Sequence, residues 1–156
     1  MRVHHLNCGC MCPRIPRLFA GHLAPRFSCN CLLLEGANSL ILVDTGLGLR
    51  DYQDPKRLGL LRHFFGFHME ERYAARHQIQ NLGFSPDDVT DIVVTHLDRD
   101  HSGGIDDFPR ATVHVTRKEF EAATSNRSIS SLLRYPKNLE LRSRKWNILD
   151  LNQDYD

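Results

Sequence analysis

Thr95-His96-Leu97-Asp98-Arg99-Asp100-His101-Ser102-Gly103-Gly104 is the stretch on which the reading of this 156-residue chain turns. It holds four groups that ligate metal ions near neutral pH: His96, Asp98, Asp100 and His101. If the loop stays extended, alternation aims His96, Asp98 and Asp100 to one side. Mixed imidazole and carboxylate donors suit zinc, iron or manganese. Ser102-Gly103-Gly104 then supplies small residues that let the backbone turn close to an ion. An isolated Asp-x-Asp-His is more often a polar loop facing water. The apolar Ile92-Val93-Val94 just before it and the paired glycines after it weigh against that alternative.

Working outward, residues 91–95 read as a buried strand that feeds the loop. Upstream, residues 29–35 and 39–43 read as two strands joined by the tight-turn residues Gly36-Ala37-Asn38, a hairpin. The second run is apolar at consecutive positions, as in a strand covered on both faces, and it ends in Asp44-Thr45-Gly46. Residues 69–82 favour helix, with Ala75, Ile79 and Leu82 on one face and Gly83 placed to end it. Ser85-Pro86-Asp87-Asp88 provides an N-cap and a first-turn proline for a short helical turn. Downstream, residues 111–115 read as a strand, and Thr116 with Glu119 forms a capping box for a helix through Ala123. Beyond Asn126 the pattern weakens to one helix near residues 130–135. This succession predicts an α/β layered domain.

The central loop resembles the His-x-His-x-Asp-His motif of the metallo-β-lactamase superfamily. That superfamily includes class B lactamases, hydroxyacylglutathione hydrolases and N-acylhomoserine lactonases. The Thr-His-x-x-x-Asp-His-x-Gly-Gly frame is intact, and Val43-Asp44-Thr45-Gly46 matches the turn that ends an earlier strand in the family. The resemblance runs through residues 28–121. It implies an α/β fold, the αββα sandwich, with the N-terminal βα half present and the second half missing. Residues 1–156 would then form a single domain, incomplete at its C-terminus. It implies two zinc ions per complete site, with His96 and Asp98 on the first and Asp100 and His101 on the second. Asp44 would support these ligands without touching metal, and Asp100 would also act catalytically by orienting the attacking hydroxide.

Two departures qualify the resemblance. The family usually has histidine where this chain has Asp98, and an anionic oxygen donor there brings iron or manganese into play beside zinc. Flavodiiron proteins of the same superfamily carry glutamate at the matching position and hold iron. Second, no Pro-Gly-His-Thr-like segment, bridging aspartate or late histidine follows His101. His114, in Thr-Val-His-Val, reads as an ordinary strand residue. Four donors leave two ions short of ligands.

The implied activity is hydrolysis of an ester, lactone, thioester or amide in a small-molecule substrate. The metals would lower the pKa of a bridging water from about 16 toward about 7 and polarise a carbonyl. Two alternatives follow from the departures. One is a noncatalytic metal-binding fragment completed by a separate chain or, as a homodimer, by a second copy. The other is an iron-linked oxidoreductase of flavodiiron type, motivated by Asp98 alone.

Composition narrows the partners. Lys and Arg total 20 against 19 Asp and Glu, a net charge of +1, so no global field attracts nucleic acid or an anionic membrane. No apolar run approaches the roughly 20 residues that span a bilayer. The N-terminus lacks the apolar core of a signal peptide. A soluble cytoplasmic protein with reduced thiols is expected. The five cysteines, Cys8, Cys10, Cys12, Cys29 and Cys31, crowd the first fifth of the chain. With His4 and His5 they offer a thiolate and imidazole metal site, but Cys-x-Cys lacks the usual Cys-x-x-Cys spacing. In an extended strand the thiols would share one face as small buried hydrophobes. His22 reads as an exposed loop residue near a substrate mouth. His63, His68 and His77 read as packing or surface residues, and Phe64, Phe65 and Phe67 as core rather than a lid or partner surface. No P-loop, dinucleotide fingerprint or Gly-x-Ser-x-Gly elbow is present.

Overall fold

Among the described residues six strands lie side by side in sequence order: β1 (Arg2–Met11), β2 (Phe27–Glu35), β3 (Leu40–Val43), β4 (Val89–Val93), β5 (Thr112–Thr116) and β6 (Lys145–Leu149). The computed structural model describes residues 1–12, 26–59, 61–125, 134–136 and 145–150. β1, β2 and β3 pair antiparallel, and β3 through β6 pair parallel. Parallel neighbours need crossovers, and helices supply them. In chain order they are α1 (Leu49–Gln53), α2 (Leu61–Phe65), α3 (Ala75–Asn81), α4 (Arg99–Ser102) and α5 (Arg117–Ser125). No helix among the described residues is long and apolar enough to cross a membrane.

Period-two alternation decides which face is buried. Cys29, Cys31 and Leu33 of β2, Leu40 and Leu42 of β3, Ile92 of β4, and Val113 and Val115 of β5 join one core with Ala75, Ile79 and Phe108. Each fully buried aliphatic side chain contributes roughly 1.5–3 kcal/mol. Alternate residues fare differently: Ile41 and Val43 are only partly covered, and Val3 and Val93 are exposed. The described residues thus cover β3 well on one face, not on both as its consecutive apolar residues predict. A second cluster, Leu47, Tyr52, Leu58 and Ala74, packs beneath α1.

The predicted hairpin, the Ser85 turn and the 111–115 strand all form within one or two residues of expectation. Ser85 Oγ accepts from the Asp87 amide at 3.2 Å, and Asp88 answers on the Ser85 amide at 3.3 Å. The helix expected over residues 69–82 is shorter. Glu71–Tyr73 makes a 3₁₀ turn, and Ala74 is extended (φ −61°, ψ 129°) and buried in the second cluster. The Gln78 side chain donates to the Tyr73 carbonyl freed by that break. Gly83 then closes α3 at φ +90°. The helix expected near residues 130–135 falls largely outside the described residues, as does His22. β6 was not expected as a strand, and β1 only as the extended strand supposed in the reading of the cysteines. β6 docks through Trp146 on Phe120, ring centroids 5.2 Å apart.

β1 also corrects the reading of the cysteines. A bulge falls between Asn7 and Cys10, where Gly9 adopts φ +99°, open to glycine at little cost. The extra residue reverses the alternation. Leu6 and Cys8 face the core before the bulge, and Met11 packs on it afterwards. Cys10 and Cys12 therefore turn away from the core that holds Cys8, Cys29 and Cys31. All five cysteines are free thiols.

Candidate metal centre

Two strand ends build the site. β3 stops at Asp44, which adopts the left-handed conformation at φ +56°, tolerated by Asp and Asn better than by most residues. The next residue, Thr45, is fully buried and ties the β3 turn to the His/Asp loop. Its amide donates to the His101 carbonyl at 2.7 Å, and its hydroxyl accepts from the Gly104 amide at 3.0 Å. The glycines permit this approach. A Cβ on Gly104 would lie 2.9 Å from the Thr45 carbonyl oxygen, and one on Gly48 would run into the Gly103 carbonyl.

Asp44 is the organising acceptor, 5% exposed. Its Oδ1 accepts from the Thr95 amide at 2.8 Å, and its Oδ2 accepts from Thr95 Oγ1 at 2.8 Å. Oδ2 also receives Nδ1–H of His101 at 2.9 Å. The tautomers follow. A carboxylate only accepts, so His101 carries its proton on Nδ1. Thr95 spends its hydroxyl proton on Asp44, so Oγ1 accepts from His96 Nδ1 at 3.0 Å. Both imidazoles are left with a bare Nε2 lone pair, as a metal ligand requires.

The loop does not stay extended past Asp98, because α4 begins at Arg99. Even so, each histidine keeps an aspartate carboxylate beside it. His96 Nε2 lies 3.8 Å from Asp98 Oδ2, and His101 Nε2 lies 3.5 Å from Asp100 Oδ2. These gaps are long for hydrogen bonds but close to the roughly 3.4 Å between two donors each about 2.1 Å from one tetrahedral ion. The two rings sit 3.9 Å apart. Burial disfavours the imidazolium of His101, but the Asp44 hydrogen bond and the charges of Asp100, Asp44 and Asp98 outweigh it and raise its pKa. The donor set suits a divalent cation. Among the described residues neither pair has a third donor close enough to complete a cluster.

Three residues to which the sequence assigns no part in the site shape it. Arg134 places Nε and Nη2 each 2.8 Å from Asp98 Oδ1, so that oxygen is committed and Oδ2 alone faces His96. Glu119 caps the loop through Oε1, which accepts from the Leu97 amide at 2.9 Å. Met11, with Phe65 and Phe67, forms the apolar wall of a cleft of about 270 Å³ whose other wall is Asp98, Asp100 and Arg134. Phe65 and Phe67 are therefore half-buried cleft residues, Phe67 also packing on the second core cluster as the sequence reading expects; the Phe64 side chain lies outside the described residues. His114 bridges strands, its Nε2 2.6 Å from Asp91 Oδ1.

A mixed sheet whose strand ends present paired His and Asp side chains, braced by a buried aspartate from the neighbouring strand, defines a class of α/β folds suited to holding metal. Residues 24–125 match the family described as "Metallo-beta-lactamase superfamily", and the chain belongs to it. It is 42% identical over 135 residues to the "Probable metallo-hydrolase" of Mycobacterium tuberculosis, covering 86% of this chain and 41% of that relative. The N-acyl homoserine lactonase AttM of Rhizobium radiobacter is 39% identical over 77 residues, 49% of this chain and 29% of its own. A structure of an N-acyl homoserine lactone hydrolase, with N-hexanoyl-L-homoserine bound at the catalytic metal centre, superposes with a TM-score of 0.68 at 25% identity. That match covers 99% of this chain and 60% of the other. The chain thus spans less than two thirds of each.

Proposed function

We propose that this chain carries the metal-binding loop of a metal-dependent hydrolase acting on an acyl lactone or similar ester. The observation that carries the reading is the Asp44–Thr95 relay, which leaves both Nε2 lone pairs bare beside Asp98 Oδ2 and Asp100 Oδ2. His96 and Asp98 would hold one divalent ion, Asp100 and His101 the other. When bound, such ions supply Lewis-acid polarisation of the carbonyl and an acidified water. Asp44 holds both imidazoles in the ligating tautomer. Asp100 faces the cleft and orients the attacking water. Met11, Phe65 and Phe67 offer an apolar wall for an acyl chain. The lactonase relatives support this substrate class, and zinc suits the nitrogen donors.

The test is metal analysis of the purified chain with hydrolysis of N-hexanoyl homoserine lactone. The expected result is bound zinc, with the ion held by Asp100 and His101 lost on Asp100→Ala or His101→Ala, and turnover falling in parallel. A folded chain that takes up no divalent metal overturns the proposal. A second reading, a metal-binding unit that does not turn over, draws on the two donors available to each ion among the described residues. Metal uptake without hydrolysis would favour it.

A further inference from the structure

Cys10, Cys12 and His68 take no part in the site above. Their donor atoms, two thiols and one imidazole nitrogen, all lie within 4.8 Å of one another. Backbone pairing fixes the arrangement. The His68 amide donates to the Cys10 carbonyl at 3.1 Å, and the Cys12 amide donates to the Gly66 carbonyl at 3.2 Å. Between them Met11 and Phe67 form an antiparallel bridge. The Gly9 bulge turns Cys10 and Cys12 out of the core, toward His68. Tetrahedral bonds of about 2.3 Å to sulfur and about 2.0 Å to nitrogen put donors roughly 3.5–3.8 Å apart. Small side-chain rotations bring this cluster to that spacing.

We infer that Cys10, Cys12 and His68 form a second, soft-metal site for a zinc-type divalent ion, separate from the His/Asp loop. The fourth position opens on a groove of about 530 Å³ lined by Arg62, His63 and Met69, where water completes the coordination. Binding expels the two thiol protons to solvent. The site also has a structural consequence. Met11 lies between the two cysteines and Phe67 precedes His68, and both side chains wall the cleft beside Asp98 and Asp100. An ion here staples the end of β1 to the α2–α3 connector and fixes that wall.

The experiment separates this ion from the His/Asp site by its sulfur. The reduced, metal-free chain is titrated with Co²⁺, and thiolate-to-cobalt charge transfer is read in the near ultraviolet. The His/Asp loop has no thiolate and gives no such band. The expected result is a saturable band, displaced by Zn²⁺, absent in Cys10→Ser/Cys12→Ser and at least ten-fold weaker in apparent affinity in His68→Ala. Zn²⁺ should also slow alkylation of Cys10 and Cys12 in the unaltered chain at least ten-fold, a readout that needs no variant to fold. A saturated wild-type chain without the band overturns the inference. So does a band that survives the double substitution, or alkylation of Cys10 and Cys12 that Zn²⁺ leaves unchanged.

Discussion

Asp44→Asn isolates the chemistry of the relay from its shape. Asparagine has nearly the same volume and tolerates the φ of +56° at this position. Its amide oxygen can still accept from the Thr95 amide, held at 2.8 Å. The other oxygen, however, becomes an NH₂ facing Thr95 Oγ1 and His101 Nδ1, which now sit 2.8 Å and 2.9 Å away as donors. The least costly escape is for His101 to move its proton to Nε2 and accept on Nδ1. That removes the lone pair a metal would use. Loss of such a supporting hydrogen bond costs 10- to 100-fold in metal affinity, about 1.4–2.7 kcal/mol. Two charge-assisted hydrogen bonds are weakened as well, so stability should fall by roughly 1–3 kcal/mol. Affinity is measured by competition with a chromophoric chelator, and folding by thermal melting of the same samples. A folded variant that binds Zn²⁺ as tightly as the unaltered chain would refute the tautomer argument.

Three further outcomes follow from the same geometry. Burial pushes the Asp107 carboxyl up to about 6, although it accepts from the Leu49 amide at 2.8 Å. Its native pKa then exceeds the unfolded value of 3.8. The native state therefore binds more protons between pH 4 and 6, and stability falls as pH rises through that window, by at most about 3 kcal/mol. Urea unfolding at pH 4.5 and 7 should show this slope reduced in Asp107→Asn, and an identical slope in both proteins would contradict it. Gly104→Ala forces a methyl to within 2.9 Å of the Thr45 carbonyl oxygen, a strain worth about 1–3 kcal/mol. The melting temperature should drop by roughly 2–4 °C per kcal/mol. Arg134→Met frees Asp98 Oδ1 from a partly exposed ion pair worth about 0.5–1 kcal/mol, so first-site metal affinity should rise roughly two- to five-fold. Weaker binding by isothermal titration would mean that Arg134 positions Asp98 rather than competing for it.

Much of the fold was legible because local signals agreed. The turn residues between β2 and β3, the Ser85 box and the apolar Ile92-Val93-Val94 each dictate local structure. That His96, Asp98, Asp100 and His101 lie near one another was legible too, because residues so close in sequence stay close in space. What stayed hidden depends on distant partners. Glu119 reads as the second half of a capping box, yet its carboxylate reaches the Leu97 amide, a choice set by how α5 lies across the loop. The role of Met11 rests on a bulge that one glycine permits but does not announce. His68 has no motif context, and only the β1 register carries Cys10 and Cys12 toward it. Arg134 lies in a stretch with weak periodicity, so nothing local marks it as the partner of Asp98.

That partnership bears on the departure at Asp98. Replacing the motif's usual neutral histidine by aspartate adds one negative charge to the first pair of donors. Taken alone, that charge hardens the site and favours iron or manganese. Arg134 returns one positive charge at 2.8 Å on Oδ1, leaving Oδ2 as a single oxygen donor with its charge partly spent. On the proposed assignment, His96 and Asp98 would then offer a cation about the same net charge as two histidines would, with one nitrogen exchanged for oxygen. The electrostatic case for a harder metal is weakened, and the remaining preference comes from donor type alone, one imidazole and one carboxylate oxygen, a set that zinc accepts readily. Asp98 and Arg134 therefore act as one unit, and an aspartate here without its arginine is a different site.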